Sequence, residues 1–252
     1  MNEDHSGSSS TENATDVVDP ARLARRTKLE QRVKTATTDR DAFLELAGIY
    51  REDGLPLHAS RILKEAHQLF PDDLDVLWQW EEAQLERSLQ QLMVTSKMAA
   101  ETNSVALDQD VERCRIDWAN CRLKICRDRL RRDASRDFLR LVLGEALYDL
   151  ERFDEAIDEL MPLADSPSHS PPAMLMMGRC HMVLSRDAEA MRCFRAASMQ
   201  RAVVGTPKVR TAALKLLVDL ADRHGLSETL QIYRNTLAAL ETSHSKELEI
   251  AS

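Results

Sequence analysis

The hydrophobic and polar positions between Asp137 and Val204 are written twice, with an offset of 34 residues. The first copy, 137–170, reads Leu143-Gly144, Ala146 and Leu147, then Phe153-Asp154-Glu155-Ala156-Ile157 and Leu160. The second, 171–204, places Met177-Gly178, Cys180 and His181, then Ala190-Met191 and Phe194 at the same steps. On a helix of 3.6 residues per turn, Leu143, Gly144 and Leu147 share one side. Ala156 and Leu160 share one side of the next helix, so the two stripes close on each other. Gly144 and Ala156 are small where the helices approach, and the short linker from Asp149 to Asp154 favours antiparallel neighbours. One hairpin leaves an apolar face open, so a period of this size predicts further hairpins stacked beside it.

A third copy spans 40–73, with Leu46-Ala47, Tyr50, Gly54, Ala59, Leu63, Ala66 and Pro71 at matching steps. Gly54 supplies the turn, and the Pro71 ring cannot continue a helix. These motifs resemble the tetratricopeptide repeat, which has a large residue then Gly in its first helix and a small residue then an aromatic or Leu in its second; Ala47 replaces that Gly in the copy at 40–73. The resemblance implies an all-α chain, a right-handed α-solenoid of tetratricopeptide-like helical hairpins, and a protein-interaction role.

Between Leu74 and Asp133 the repeat is lost. Leu77, Trp78, Leu85, Leu89, Leu92 and Met93 predict one helix to about Glu101, roughly 40 Å long, with a break near Thr102-Asn103-Ser104. After it, Leu107, Val111, Cys114, Trp118, Cys121 and Ile125 alternate in steps of four and three, and Ile116, Leu123 and Leu130 make a second stripe. A helix apolar on two sides packs between neighbours, so 74–133 reads as one elongated irregular hairpin. A weaker fourth unit, 205–240, starts at Thr206-Pro207 and carries Leu214, Leu217 and Leu220-Ala221, with a turn at Gly225 towards Leu230 and Tyr233.

The ends differ in composition. Residues 1–19 hold five acids, no Lys or Arg, and much Ser and Thr, which predicts a disordered acidic tail. Residues 20–35 form a basic lead-in helix with six bases against one acid over Ala21 to Lys34, and Leu23, Leu29 and Val33 as a poor apolar stripe. The solenoid is expected over 36–240, and 241–252 as a flexible tail. Seven Gly, eight Pro and 4% aromatics suit a nearly all-helical chain, and the net charge of -8 disfavours nucleic acid as the main partner. Five cysteines, three of them in one helical segment, read as a reducing compartment, and no apolar run is long enough to span a membrane. A soluble cytoplasmic protein is expected.

Little chemistry is written into the chain. The seven histidines show no paired spacing on one helix face, and there is no Cys-x-x-Cys, Gly-rich phosphate loop or nucleophile elbow. Cys180-His181 reads as packing, because adjacent helical residues point about 100° apart. An enzyme, a cofactor and a metal site are therefore not expected. Arg122 to Arg132 carries six bases and one Asp. One reading is a stripe for RNA or an acidic partner; the other is an internal pairing with the acids of Asp72 to Glu86, favoured because no aromatics interleave.

The resemblance also implies a ligand surface. In this family the first-helix residues not used for packing line the concave side. Here these are Leu44, Gly48 and Arg51, then Leu141, Glu145 and Tyr148, then Leu175, Arg179 and Met182, each trio spaced i, i+4, i+7. Family members that clamp a chaperone's C-terminal carboxylate project Lys and Asn there, so a clamp of that kind is not expected. An extended or helical peptide with apolar anchors and at least one charge fits Tyr148 and Met182 beside a Glu145/Arg179 pair.

Overall fold

Helix starts and stops follow the caps written in the sequence. The computed structural model describes residues 20–250, apart from 37, 103 and 200–202 and the side chains of 243–250. The tail expected over 1–19 lies outside the described residues. Eleven α-helices are found among the described residues: α1 (Pro20–Thr35), α2 (Arg40–Glu52), α3 (Pro56–Leu69), α4 (Leu74–Thr102), α5 (Val105–Arg132), α6 (Phe138–Asp149), α7 (Phe153–Leu160), α8 (Ser170–Val183), α9 (Asp187–Met199), α10 (Pro207–Arg223) and α11 (Ser227–Ile250). The Asp39 carboxylate accepts from the Ala42 N–H at 3.1 Å to open α2. Asp73 accepts from the Asp75 and Val76 amides at 2.9 and 3.1 Å to open α4, and Thr206 accepts from Val209 before Pro207.

Four hairpins share one turn. In α2–α3, α6–α7, α8–α9 and α10–α11 the second residue after the first helix has φ of +68° (Gly54), +59° (Glu151), +58° (Ser185) and +65° (Gly225). Each time the next amide donates to the carbonyl five residues back: Leu55 to Tyr50 at 2.8 Å, Arg152 to Leu147 at 2.9 Å, Arg186 to His181 at 2.8 Å and Leu226 to Ala221 at 2.9 Å. This left-handed helix stop satisfies carbonyls that the helix end leaves unpaired. Seven residues before the turn stand Ala47, Gly144 and Gly178. A Cβ on Gly144 would lie 2.6 Å from Leu160 Cγ, and one on Gly178 would lie 2.6 Å from Phe194 Cδ1. The small residues thus set the helix spacing within the hairpins.

The chain divides into two units, the first ending at Arg87 and the second starting at Ser88. In the first, Phe43, Leu46, Ala59, Leu63, Val76 and Ala83 form one core. α1, read from the sequence as a lead-in helix, packs Leu29 and Val33 into that core. Its bases are not a free stripe: Arg22 pairs with Glu52 and Asp53, Arg25 with Glu45, and Arg26 with Asp53. Tyr50 donates to Glu30 at 2.9 Å and completes the α1–α2 contact.

In the second unit two further cores follow the stacking of the hairpins. One joins Leu123 and Cys126 of α5 to Leu143, Leu147, Ala156 and Leu160 of α6–α7 and to Met177 of α8. The other joins Leu175 of α8 to Phe194 of α9, Leu214, Leu217 and Leu220 of α10, and Tyr233 of α11. Polar side-chain contacts link successive hairpins at their turns: Arg186 pairs with Asp154 at 2.8 Å, and His224 Nε2 lies 2.6 Å from the Asp187 carboxylate. α11 runs on to Ile250, past Glu241, where the sequence reading starts a tail.

Candidate functional site

α8 touches both α6 and α10, so the first helices of the three hairpins in the second unit lie side by side. The shared turn gives these helices a common register. Counting back ten, six and three residues from the left-handed residue reaches Leu141, Glu145 and Tyr148 on α6, and Leu175, Arg179 and Met182 on α8. On α10 the same count reaches Lys215, Asp219 and Asp222. This last trio escapes the 34-residue offset because Gly225 follows Ser185 by 40 residues. Counting back from Gly225 finds it.

On α6, Leu141 and Tyr148 are half-buried against the core, and the Tyr148 ring meets Phe153 edge-on with centroids 5.3 Å apart. Glu145 is exposed and lies 3.9 Å from Arg122 of α5. Arg122 is itself buried, paired with Asp149, and its guanidinium carbon sits 5.0 Å from the centroid of Trp118. On α8, Leu175 is 9% exposed and belongs to the core, while Met182 is half-buried against it. Arg179 is half-buried and has no hydrogen-bond or ion-pair partner among the described residues. The expected Glu145/Arg179 pair is not formed, since the Glu145 carboxylate is turned to Arg122. On α10, Lys215 lies 3.6 Å from Glu241 and Asp222 lies 3.8 Å from Arg234, whereas Asp219 is exposed and unpaired among the described residues.

In the first unit the corresponding residues are engaged. Leu44 packs on the core and Gly48 lines a cleft of about 430 Å³ with Ala21, Arg22, Arg25 and Ile49. Arg51 is held by Glu86, which raises its pKa, and by Gln79 at 2.9 Å.

The basic stripe of α5 is also engaged. Arg122 pairs with Asp149, Arg127 reaches Glu155 at 3.4 Å, and Arg131 pairs with Asp128. Thus Arg122 and Arg127 use acids on α6 and α7. Of the acids from Asp72 to Glu86, three are held by α2: Asp73 and Asp75 by Arg40, and Glu86 by Arg51.

Cys180 and His181 do not form a reactive pair. Burial pushes the Cys180 thiol up to about 12, so it stays protonated at neutral pH. Burial also lowers the His181 pKa, which keeps the ring neutral. Among the described residues no three His, Cys, Asp or Glu side chains gather as a metal site.

No family model matches the chain. No curated protein matches it. Among solved structures, PilF of Pseudomonas aeruginosa is 16% identical over 85% of this chain and 77% of its own, with a TM-score of 0.42. PilW, described as a widely conserved type IV pilus biogenesis factor, is 14% identical over 88% of this chain and 94% of its own, with a TM-score of 0.41. Likeness at that level carries no argument, and the architecture rests on the chain's own four turns and close helix approaches. The hairpins are tetratricopeptide-like. No described helix is long and apolar enough to cross a membrane.

Proposed function

We propose that the chain is a protein-interaction scaffold whose α6–α8–α10 face binds a peptide or partner helix carrying an apolar anchor and an acidic residue. The observation that carries this reading is Arg179, a half-buried cation without a partner among the described residues, on the same helix face as Met182 and beside the helix that carries Tyr148. A guanidinium held partly away from water gains most from a carboxylate that completes its hydrogen bonds. Tyr148 and Met182 offer the neighbouring apolar contact area. The stripe at Arg122 to Arg132 is the weaker candidate, because Arg122, Arg127 and Arg131 already have carboxylate partners. A cytoplasmic setting belongs to the same proposal and is supported by five free thiols.

Photo-crosslinking from position 182 in cell extract tests the surface. Crosslinked partners are expected from Met182, absent from a control probe at the exposed Asp158 on α7, and lost on adding Arg179→Glu and Tyr148→Ala. Partners captured equally from both positions, or retained in the double variant, would show that the face is misassigned.

A further inference from the structure

The row that lies six residues before each left-handed turn residue alternates in charge across the second unit: Glu145 on α6, Arg179 on α8 and Asp219 on α10. Arg122 of α5 extends the row, since its guanidinium lies 3.9 Å from Glu145. At the α5–α6 end the opposite charges face each other, and Asp149 adds a second carboxylate to Arg122. At the α8–α10 end they do not. Arg179 and Asp219 stand on touching helices, yet neither has a hydrogen-bond or ion-pair partner among the described residues. On α10 the levels either side of Asp219 are closed, Lys215 by Glu241 at 3.6 Å and Asp222 by Arg234 at 3.8 Å. One level of the face is therefore left with a cation and an anion side by side, both unpaired among the described residues.

We infer that this row selects an extended peptide whose acidic and basic residues stand three positions apart, the acid over Arg179 and the base over Asp219. The inference rests on the reading of the α6–α8–α10 face given above and fixes the charges and the backbone of its ligand. The axes of neighbouring packed helices lie about 8–10 Å apart. A polyproline-type chain advances about 3.1 Å per residue with three residues per turn, so its side chains at i and i+3 leave on one side about 9 Å apart. That matches the step from α8 to α10. A helical ligand covers the same step in about seven residues, but it is about 10–12 Å across with its side chains. It therefore also lies over Lys215 and Asp222, which α11 already engages. A narrow chain crossing at one level leaves those pairs intact. The same charges reject other segments: a uniformly acidic ligand meets Asp219, and a uniformly basic one meets Arg179.

Selection of a displayed library of random linear peptides on the full chain tests this. Sequences with an acid and a base three positions apart are expected to be enriched, in one order along the peptide. Asp219→Arg changes an exposed residue and is expected to leave helicity by circular dichroism unchanged. On this variant the base should give way to a second acid at the same spacing, and a synthetic peptide of the wild-type consensus should bind about three- to tenfold more weakly. In Arg179→Asp combined with Asp219→Arg the order of acid and base should reverse. Enriched peptides that depend on Tyr148 and Met182 but lack that spacing, that space their charges by seven, or that keep one consensus in Asp219→Arg overturn the inference and leave the face as the binding surface. Peptides indifferent to Arg179→Glu and Tyr148→Ala, or no enrichment at all, overturn both.

Discussion

Replacing Glu151 and Ser185 by glycine should stabilise the second unit. Both residues hold φ near +60°, where an L side chain costs about 1–2 kcal/mol. Both side chains are exposed and make no hydrogen bond or ion pair among the described residues, so removing them forfeits no contact. Glycine gives back about 0.4–1 kcal/mol through the larger entropy of its unfolded state. The net gain is then about 0.5–1 kcal/mol per site, and two turns without shared partners should add to about 1–2 kcal/mol. For a unit of this size that corresponds to roughly 2–8 °C in Tm. A repeat chain need not unfold in one step, so the sharper assay is native-state hydrogen exchange at the turn amides. The Arg152 and Arg186 amides, bonded at 2.9 and 2.8 Å, should exchange about two- to fivefold more slowly in the matching glycine variant. Glu151→Ala keeps its Cβ and should gain nothing. Equal stability of Glu151→Gly and Glu151→Ala, with unchanged exchange at Arg152, would refute the reasoning.

Gly144→Ala and Gly178→Ala should each lose about 1–3 kcal/mol through overpacking, because the new methyl meets Leu160 or the Phe194 ring; Phe194→Leu should recover part of the Gly178→Ala loss in urea unfolding. Tyr50 is raised from 10.0 to about 12, first by burial and then by its bond to Glu30. A raised folded-state pKa means stability that is complete below pH 10 and lost as pH climbs towards 12. Unfolding followed through that window should show the loss in the wild type and a flatter profile in Tyr50→Phe, which starts about 1 kcal/mol lower at neutral pH.

The repeat was readable from sequence because close helix approach demands small residues, and Gly144 and Gly178 stand at one offset. The turn was readable only at Gly54 and Gly225. Glu151 and Ser185 take the same backbone conformation without the residue that announces it, since hydrogen bonds to Leu147 and His181 hold the chain there. Pairings between distant residues were not legible. Nothing local in α1 tells that Arg22, Arg25 and Arg26 will meet Glu45, Glu52 and Asp53, or that Arg122 will turn to α6. The candidate face was legible in its spacing on α6 and α8, but not in which of its members the fold consumes. Leu175 goes to the core and Glu145 turns to Arg122, while Arg179 is left unpaired among the described residues.

All five cysteines lie between residues 114 and 193, inside the second unit, and none lies before Arg87. Thiol reagents therefore read the opening of one unit while the other stays silent. Cys180 is fully buried and held as a thiol, so its labelling waits for α8 to come away from its neighbours, whereas half-buried Cys121 and Cys193 answer to smaller openings. The chain carries its own graded clock of local unfolding, needing no engineered label.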